Sequence, residues 1–173
     1  MSSYARIINF NGEVNETSAL STIIQLLDLN SESKTEPIYL YINSPGGSII
    51  HGLAIYDTIQ HIDAPVYTIC TGLAASMGAF LLSCGERGNR SALKHSRILI
   101  HQPLISTRGG FAEKESELRK LAEDLNKHRN LLEEIMASNT NQPLEKLHAD
   151  CERDNWMSAE EALEYGLIDS IIY

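Results

Sequence analysis

Two periods of hydrophobic patterning alternate along the chain. Short runs of β-branched and aromatic residues bounded by polar or glycine-rich segments predict strands at "ARIINF" (5–10), "PIYLYIN" (37–43), "APVYTIC" (64–70), "RILIHQP" (97–103) and "LIDSIIY" (167–173). Between them, apolar residues recur every three or four positions, as on one face of a helix. Leu20, Ile23, Ile24 and Leu27 mark the first such helix, and positions 49, 50, 53, 56 and 59 the second. A long one runs over 111–139, with Leu118, Leu121, Leu125, Leu132, Ile135 and Met136 as its stripe. "PLEKLHAD" (143–150) gives a shorter helix, and Ser158 with Glu161 forms a capping box ahead of "AEEALEY", which Gly166 closes. "NSESKTE" (30–36) reads as a loop and "STRGG" (106–110) as a turn. Strands alternating with helices predict one α/β domain over residues 1–173, with no internal repeat.

One stretch breaks the ordinary mixture of charge. No Asp, Glu, Lys or Arg occurs over residues 64–85, "APVYTICTGLAASMGAFLLSCG". Twenty or so apolar residues suffice to cross a bilayer. This run, however, divides into a strand, a "TG" break and a small-residue helix start, which is not the pattern of a span. It predicts a buried strand–turn–helix with Ser76 at or near the helix N-terminus. Gly72, Ala74, Ala75, Gly78 and Ala79 are small enough for another backbone, or a substrate, to come close. There the Met77 N–H points out of the helix start beside Ser76 Oγ, in a place suited to an oxyanion. Taken alone, Ser76 reads as an ordinary N-cap, and the surrounding pattern is not the G-x-S-x-G elbow of α/β-hydrolases.

Composition narrows the chemistry. Hydrophobic residues make up 43% of the chain and charged ones 21%, as in ordinary globular domains. A net charge of −9 argues against nucleic acid or an anionic membrane as the partner. Three cysteines (70, 84 and 151) without metal-ligand spacing suit reduced thiols, and the N-terminal residues carry no signal-peptide pattern, so a cytoplasmic protein is expected. A serine nucleophile needs a general base oriented by an acid. His101 closes the apolar strand "RILI", where it is placed to meet a helix start; by itself it reads as a hydrogen-bonded core histidine. Asp154, in "CERDNW" beside Trp156, reads as a partly buried carboxylate in need of a partner, with Asp150 as the other candidate.

In order along the chain, "YLYINSPGGSIIHGLAIYDTIQ", "TICTGLAASMGAFLLSCG", "SRILIHQPL" and "SAEEALEYGLIDSI" resemble the caseinolytic protease family of ClpP proteolytic subunits. The likeness covers roughly 37–173, more weakly 6–36. It implies Ser76 as nucleophile, His101 as general base, Asp154 as the acid that orients it, and the backbone N–H groups of Gly47 and Met77 as the oxyanion hole. It also implies an α/β spiral of β-β-α units shared with crotonases, with 111–139 as a protruding handle helix. Seven subunits would close a ring, and two rings would stack handle to handle around a chamber. An AAA+ unfoldase of the ClpX, ClpA or ClpC type would feed it unfolded protein, docking near Tyr39 and Tyr41. The expected activity is that of a serine endopeptidase needing no metal or cofactor. A non-catalytic subunit of a mixed ring is the alternative, and a crotonase-type acyl-CoA enzyme ranks below it.

Several positions depart from the family pattern: Ser48 after the double glycine, Thr71 before Gly72, Lys94, and a longer "LISTRGGF" between His101 and the handle. Few residues precede "ARIINF", so an entrance less regulated than usual is expected.

Overall fold

Strand β1 (Ile7–Asn11) lies parallel to β2 (Ile38–Ser44), and β2 parallel to β3 (Val66–Ala75). Parallel neighbours cannot be joined by a tight hairpin. The connections are therefore the helices α1 (Glu16–Glu32) and α2 (Ile49–His61). The computed structural model describes residues 6–102 and 115–173.

Strand β3 is where the sheet forks. Its first half, Thr68–Cys70, pairs with β4 (Arg90–Leu93), while its second half, Leu73–Ala75, pairs with β5 (Arg97–Ile100). From β4 the sheet continues to β7 (Ser170–Ile172), and from β5 it turns antiparallel to β6 (Asn155–Ser158). Helix α3 (Met77–Ser83) leaves directly from the end of β3; α4 (Glu115–Thr140), α5 (Leu144–Cys151) and α6 (Ala159–Tyr165) complete the chain. This is the expected α/β architecture with a mostly parallel sheet. The core lies between sheet and helices, around Ile8, Leu40, Ile42, Ile55, Phe80 and Ile98, all buried.

Several predicted boundaries shift, each for a physical reason. Strand β3 does not end at Cys70: a register irregularity against Ile42–Ser44 absorbs "TG", and the strand runs on to Ala75. Strands β4 and β6 escape sequence reading because "RSAL" and "NWMS" lack a run of β-branched and aromatic residues. Helix α1 turns its small face inward, burying Ala19, Thr22 and Leu26, and leaves Leu20, Ile24 and Leu27 exposed. The bulkier stripe is thus the outer one in a single chain.

Helix α4 is half supported. Leu132 and Met136, toward its C-terminal end, are buried, whereas Leu121 and Leu131 are 44% and 43% exposed. The 111–114 end of the predicted handle, the side chain of Leu118, the whole of "LISTRGGF" with its "STRGG" turn, and Met1–Tyr4 lie outside the described residues. The capping box is present as predicted: Ser158 Oγ accepts from the Glu161 N–H, and Glu161 Oε2 from the Ser158 N–H. Gly166 takes the left-handed conformation that ends α6. Ser48 caps α2, accepting from the His51 N–H. Lys94 lies over the Tyr173 ring, 5.0 Å from its centroid.

Candidate active site

Ser76 joins a strand to a helix with no loop between them. Its N–H still belongs to the sheet, donating to the Leu99 carbonyl at 2.8 Å, while its own carbonyl already accepts the Phe80 N–H of α3 at 3.0 Å. Satisfying both drives Ser76 to φ 55°, ψ −120°, a conformation that non-glycine residues rarely adopt. The ordinary N-cap role fails: the hydroxyl makes no capping hydrogen bond. Among the described residues, Ser76 Oγ has no hydrogen-bond partner at all. Every residue of α3 is buried, so the turn is braced from behind.

The "PGG" segment lies against this turn. A Cβ on Gly46 would stand 2.7 Å from both the Ala75 carbonyl oxygen and Ser76 Cβ, so only glycine lets the two backbones come this close. Gly47 follows at φ +144° and is held by a parallel bridge to Val14, flanked by the Val14 N–H to Gly46 O and Ser48 N–H to Val14 O hydrogen bonds, each 2.8 Å. The Gly47 and Met77 N–H groups find no acceptor among the described residues. Both residues border one cleft of about 280 Å³, and Ser76 and His101 border it too.

His101 follows β5 and is largely buried, its side chain 14% exposed. The next residue ties this segment to the end of α5: the Gln102 N–H donates to the Cys151 carbonyl at 2.7 Å, and its Nε2 to the Glu152 carbonyl at 3.2 Å. Asp154 lies just beyond, in the loop leading into β6, with Oδ1 3.4 Å from His101 Nδ1. The expectation of a partly buried carboxylate is corrected, since the Asp154 side chain is 65% exposed. The neighbouring Trp156 is 45% exposed and stacks near Arg97 rather than covering the acid. Asp150 is otherwise engaged, by Lys146 and by the Tyr165 hydroxyl at 2.8 Å. Burial alone would raise its pKa, but these two donors hold it below the usual carboxylate value.

The thiol of Cys151 also borders the cleft, where burial, helped by nearby Glu133 and Asp150, pushes its pKa up to about 12. It is therefore a neutral, apolar wall element rather than a competing nucleophile.

Sequence reading missed one cluster. Arg129 and Glu133 on α4 border the cleft with Leu132 and Met136, at the i, i+3, i+4, i+7 spacing of one helix face. Arg129 Nε donates to Glu133 Oε1 at 2.8 Å, and His148 Nδ1 from α5 lies 2.7 Å from Glu133 Oε2. The i, i+4 spacing of Arg129 and Glu133 was the available signal, though it does not reveal the third member on another helix.

A hydroxyl on a strained strand-to-helix turn, a histidine beside it and two free backbone donors define the kind of site that serine hydrolases use for acyl transfer. The family model for Clp proteases matches residues 2–173, and the chain belongs to that family. Its mixed α/β architecture is the ClpP fold, and its reaction is that of a ClpP-type serine peptidase. No helix among the described residues is long and apolar enough to cross a membrane.

Proposed function

We propose that the chain is an endopeptidase in which Ser76, His101 and Asp154 act as the triad and the Gly47 and Met77 N–H groups as the oxyanion hole. The observation that carries this reading is the single cleft bordered by Ser76, His101, Gly47 and Met77. Asp154 faces Nδ1 of His101, which leaves Nε2 for the serine. In the first step Nε2 takes the Ser76 proton as Oγ attacks the peptide carbonyl. The carbonyl oxygen becomes an anion held by the two N–H groups. Collapse expels the amine, which leaves with the proton from His101. Water, activated by the same histidine, then hydrolyses the acyl-enzyme. Each backbone donor to the oxyanion is worth about 10²–10³ in rate, so an unpaired pair is a substantial device.

The unengaged Ser76 hydroxyl accords with a free enzyme, in which catalytic hydrogen bonds are often long until substrate binds. The wider reading is a cytoplasmic double ring enclosing the serines, its handle helices packed together, fed by an AAA+ unfoldase. Support comes from the exposed Leu121 on α4, and from the half-buried Tyr39 and Tyr41 on the sheet face opposite Leu40 and Ile42. A fluorophosphonate should label Ser76 alone; an adduct elsewhere overturns the assignment. Native mass spectrometry tests the ring, and a lone monomer with full activity contradicts it.

A further inference from the structure

The cleft beside Ser76 has an apolar lining interrupted by one charged pair, and that pair is not fully engaged. Arg129 Nε donates to Glu133, and Nη2 lies 3.3 Å from His148 Nε2. With His148 neutral and its proton on Nδ1, the three side chains close a ring. Nδ1–H donates to Glu133 Oε2, and Nε2 accepts from Arg129. Glu133, its side chain only 7% exposed, then has a donor on each oxygen. Arg129 Nη1, by contrast, has no acceptor among the described residues. No buried side-chain nitrogen or oxygen lacks a partner among them, so Nη1 opens onto accessible space. The cleft that Arg129 borders is the one holding Ser76 and His101. A second cavity on the far side of the cluster is lined by Glu133 and His148 but not by Arg129.

We propose that Arg129, clamped by Glu133 and His148, is a specificity-determining residue. It selects, at the residue whose carbonyl Ser76 attacks, a side chain with an apolar stem and an uncharged hydrogen-bond acceptor at its tip. Glutamine is the simplest such side chain. This rests on the peptidase reading above, since that reading seats the attacked carbonyl between Gly47 and Met77 and so directs the adjoining side chain into the cleft. At about 280 Å³ the cleft falls just below the ~300–1,000 Å³ of small-molecule pockets, a size suited to one side chain.

Four classes of side chain then separate by chemistry. An amide passes its methylenes along Met77, Phe80 and Met136 and accepts from Nη1. An aliphatic side chain fills the same space but strips water from Nη1 without replacing its acceptor, which is the costly case. A carboxylate adds a net negative charge to a pair that is already neutral, in an apolar setting. A lysine or arginine brings a second cation to the Arg129 guanidinium.

The test uses fluorogenic peptides identical except for Gln, Leu, Glu or Lys at the residue preceding the cleaved bond. Rates are normalised to sites titrated by fluorophosphonate. The native chain should cleave after Gln at least about 10-fold faster than after Leu in kcat/KM, with Glu and Lys slower still. Arg129→Met alone removes one of Glu133's partners and can impair folding. The double variant Arg129→Met with Glu133→Leu replaces the ion pair by an apolar pair of similar bulk, a change that buried pairs commonly tolerate. In it the Gln/Leu ratio should fall about 10-fold or invert, with cleavage after Leu retained. An active double variant with an unchanged ratio, or a native chain that prefers Leu, overturns this inference and leaves the peptidase reading intact. Absence of any Ser76-dependent cleavage overturns both.

Discussion

The turn that carries Ser76 and the loop that carries Asp154 are built to different standards of rigidity. Ser76 is pinned from three sides: by the Leu99 carbonyl, by the glycine backbone at Gly46, and by a helix with no exposed residue. Asp154 sits on a connection between α5 and β6, mostly in solvent, at 3.4 Å from the histidine it would orient. A hydrogen bond to a charged group is strongest when short and dry. The Ser76 half of the proposed site is therefore rigidly built within one chain, while the Asp154 half is loosely held.

The two halves should respond unequally to substitution. The largest effect belongs to Ser76. Ser76→Ala should lower kcat for peptide hydrolysis by about 10⁶, the loss seen when a serine protease is deprived of its serine. Measured on a fluorogenic peptide, retention of even a few per cent of the native rate would show that another group attacks. Asp154→Asn comes next, with an upper bound near 10⁴, the loss expected when the acid alone fixes the histidine tautomer. Because Asp154 is exposed and its contact long, the measured loss should fall below that bound. A loss that reaches the bound of about 10⁴ would mean that the acid loop is as rigid in the working enzyme as the turn under Ser76.

What the sequence made legible follows the same division. Ser76 at a strand-to-helix junction and His101 at a strand end are local features, fixed by residues adjacent in the chain, and the structure places them so. The Ser158–Glu161 capping box and Gly166 are local too. The rest depends on contacts distant in sequence. Nothing near position 154 encodes its exposure, because that depends on what α5 and β6 leave uncovered. Helix α1 shows the same limit: its apolar stripe marks a helix but not which face turns inward, and the sheet accepts the smaller Ala19 and Thr22. The Arg129–Glu133–His148 cluster joins two helices, so neither segment announces it alone.

Behind helix α3 stands a brace that can be removed without touching the cleft. Arg90 is 4% exposed and makes a two-pronged contact with Asp169, at 2.6 and 2.8 Å. Its Nη1 donates to the Asn139 carbonyl at 2.8 Å and reaches the Ser83 carbonyl at 3.5 Å, joining the ends of α4 and α3. Asp169→Asn should destabilise the fold by about 3–5 kcal/mol at neutral pH, because it leaves a buried guanidinium without its counter-charge. Burial works to raise the Asp169 pKa, but Arg90 and the Gly88 and Arg90 N–H groups outweigh it and hold the pKa below the reference 3.8. A lowered carboxylate pKa stabilises the fold above the unfolded value and loses that contribution as pH falls through the folded one. The stability gap between native and variant, read by thermal melting, should therefore be full at pH 6–7 and narrow below pH 3.8. A gap independent of pH would show that the carboxylate's charge is not what the brace uses.

The smallest effect tests whether the Ser76 turn is under strain as well as buttressed. At most positions glycine is less stable than alanine by about 0.5–1 kcal/mol, because glycine gives up more backbone freedom on folding. At φ 55°, ψ −120° the order should reverse, since alanine keeps the Cβ that makes this conformation costly and glycine does not. Strain of this kind is worth about 1–3 kcal/mol. Set against glycine's entropic penalty, it should leave Ser76→Gly more stable than Ser76→Ala by about 1 kcal/mol. Both variants lack the hydroxyl, so activity cannot separate them; urea unfolding under matched conditions can. A normal order, with alanine the more stable, would mean that the backbone at Ser76 stores little strain. In that case the strain at Ser76 would be smaller than glycine's entropic penalty, and the turn would be held by its buttresses alone.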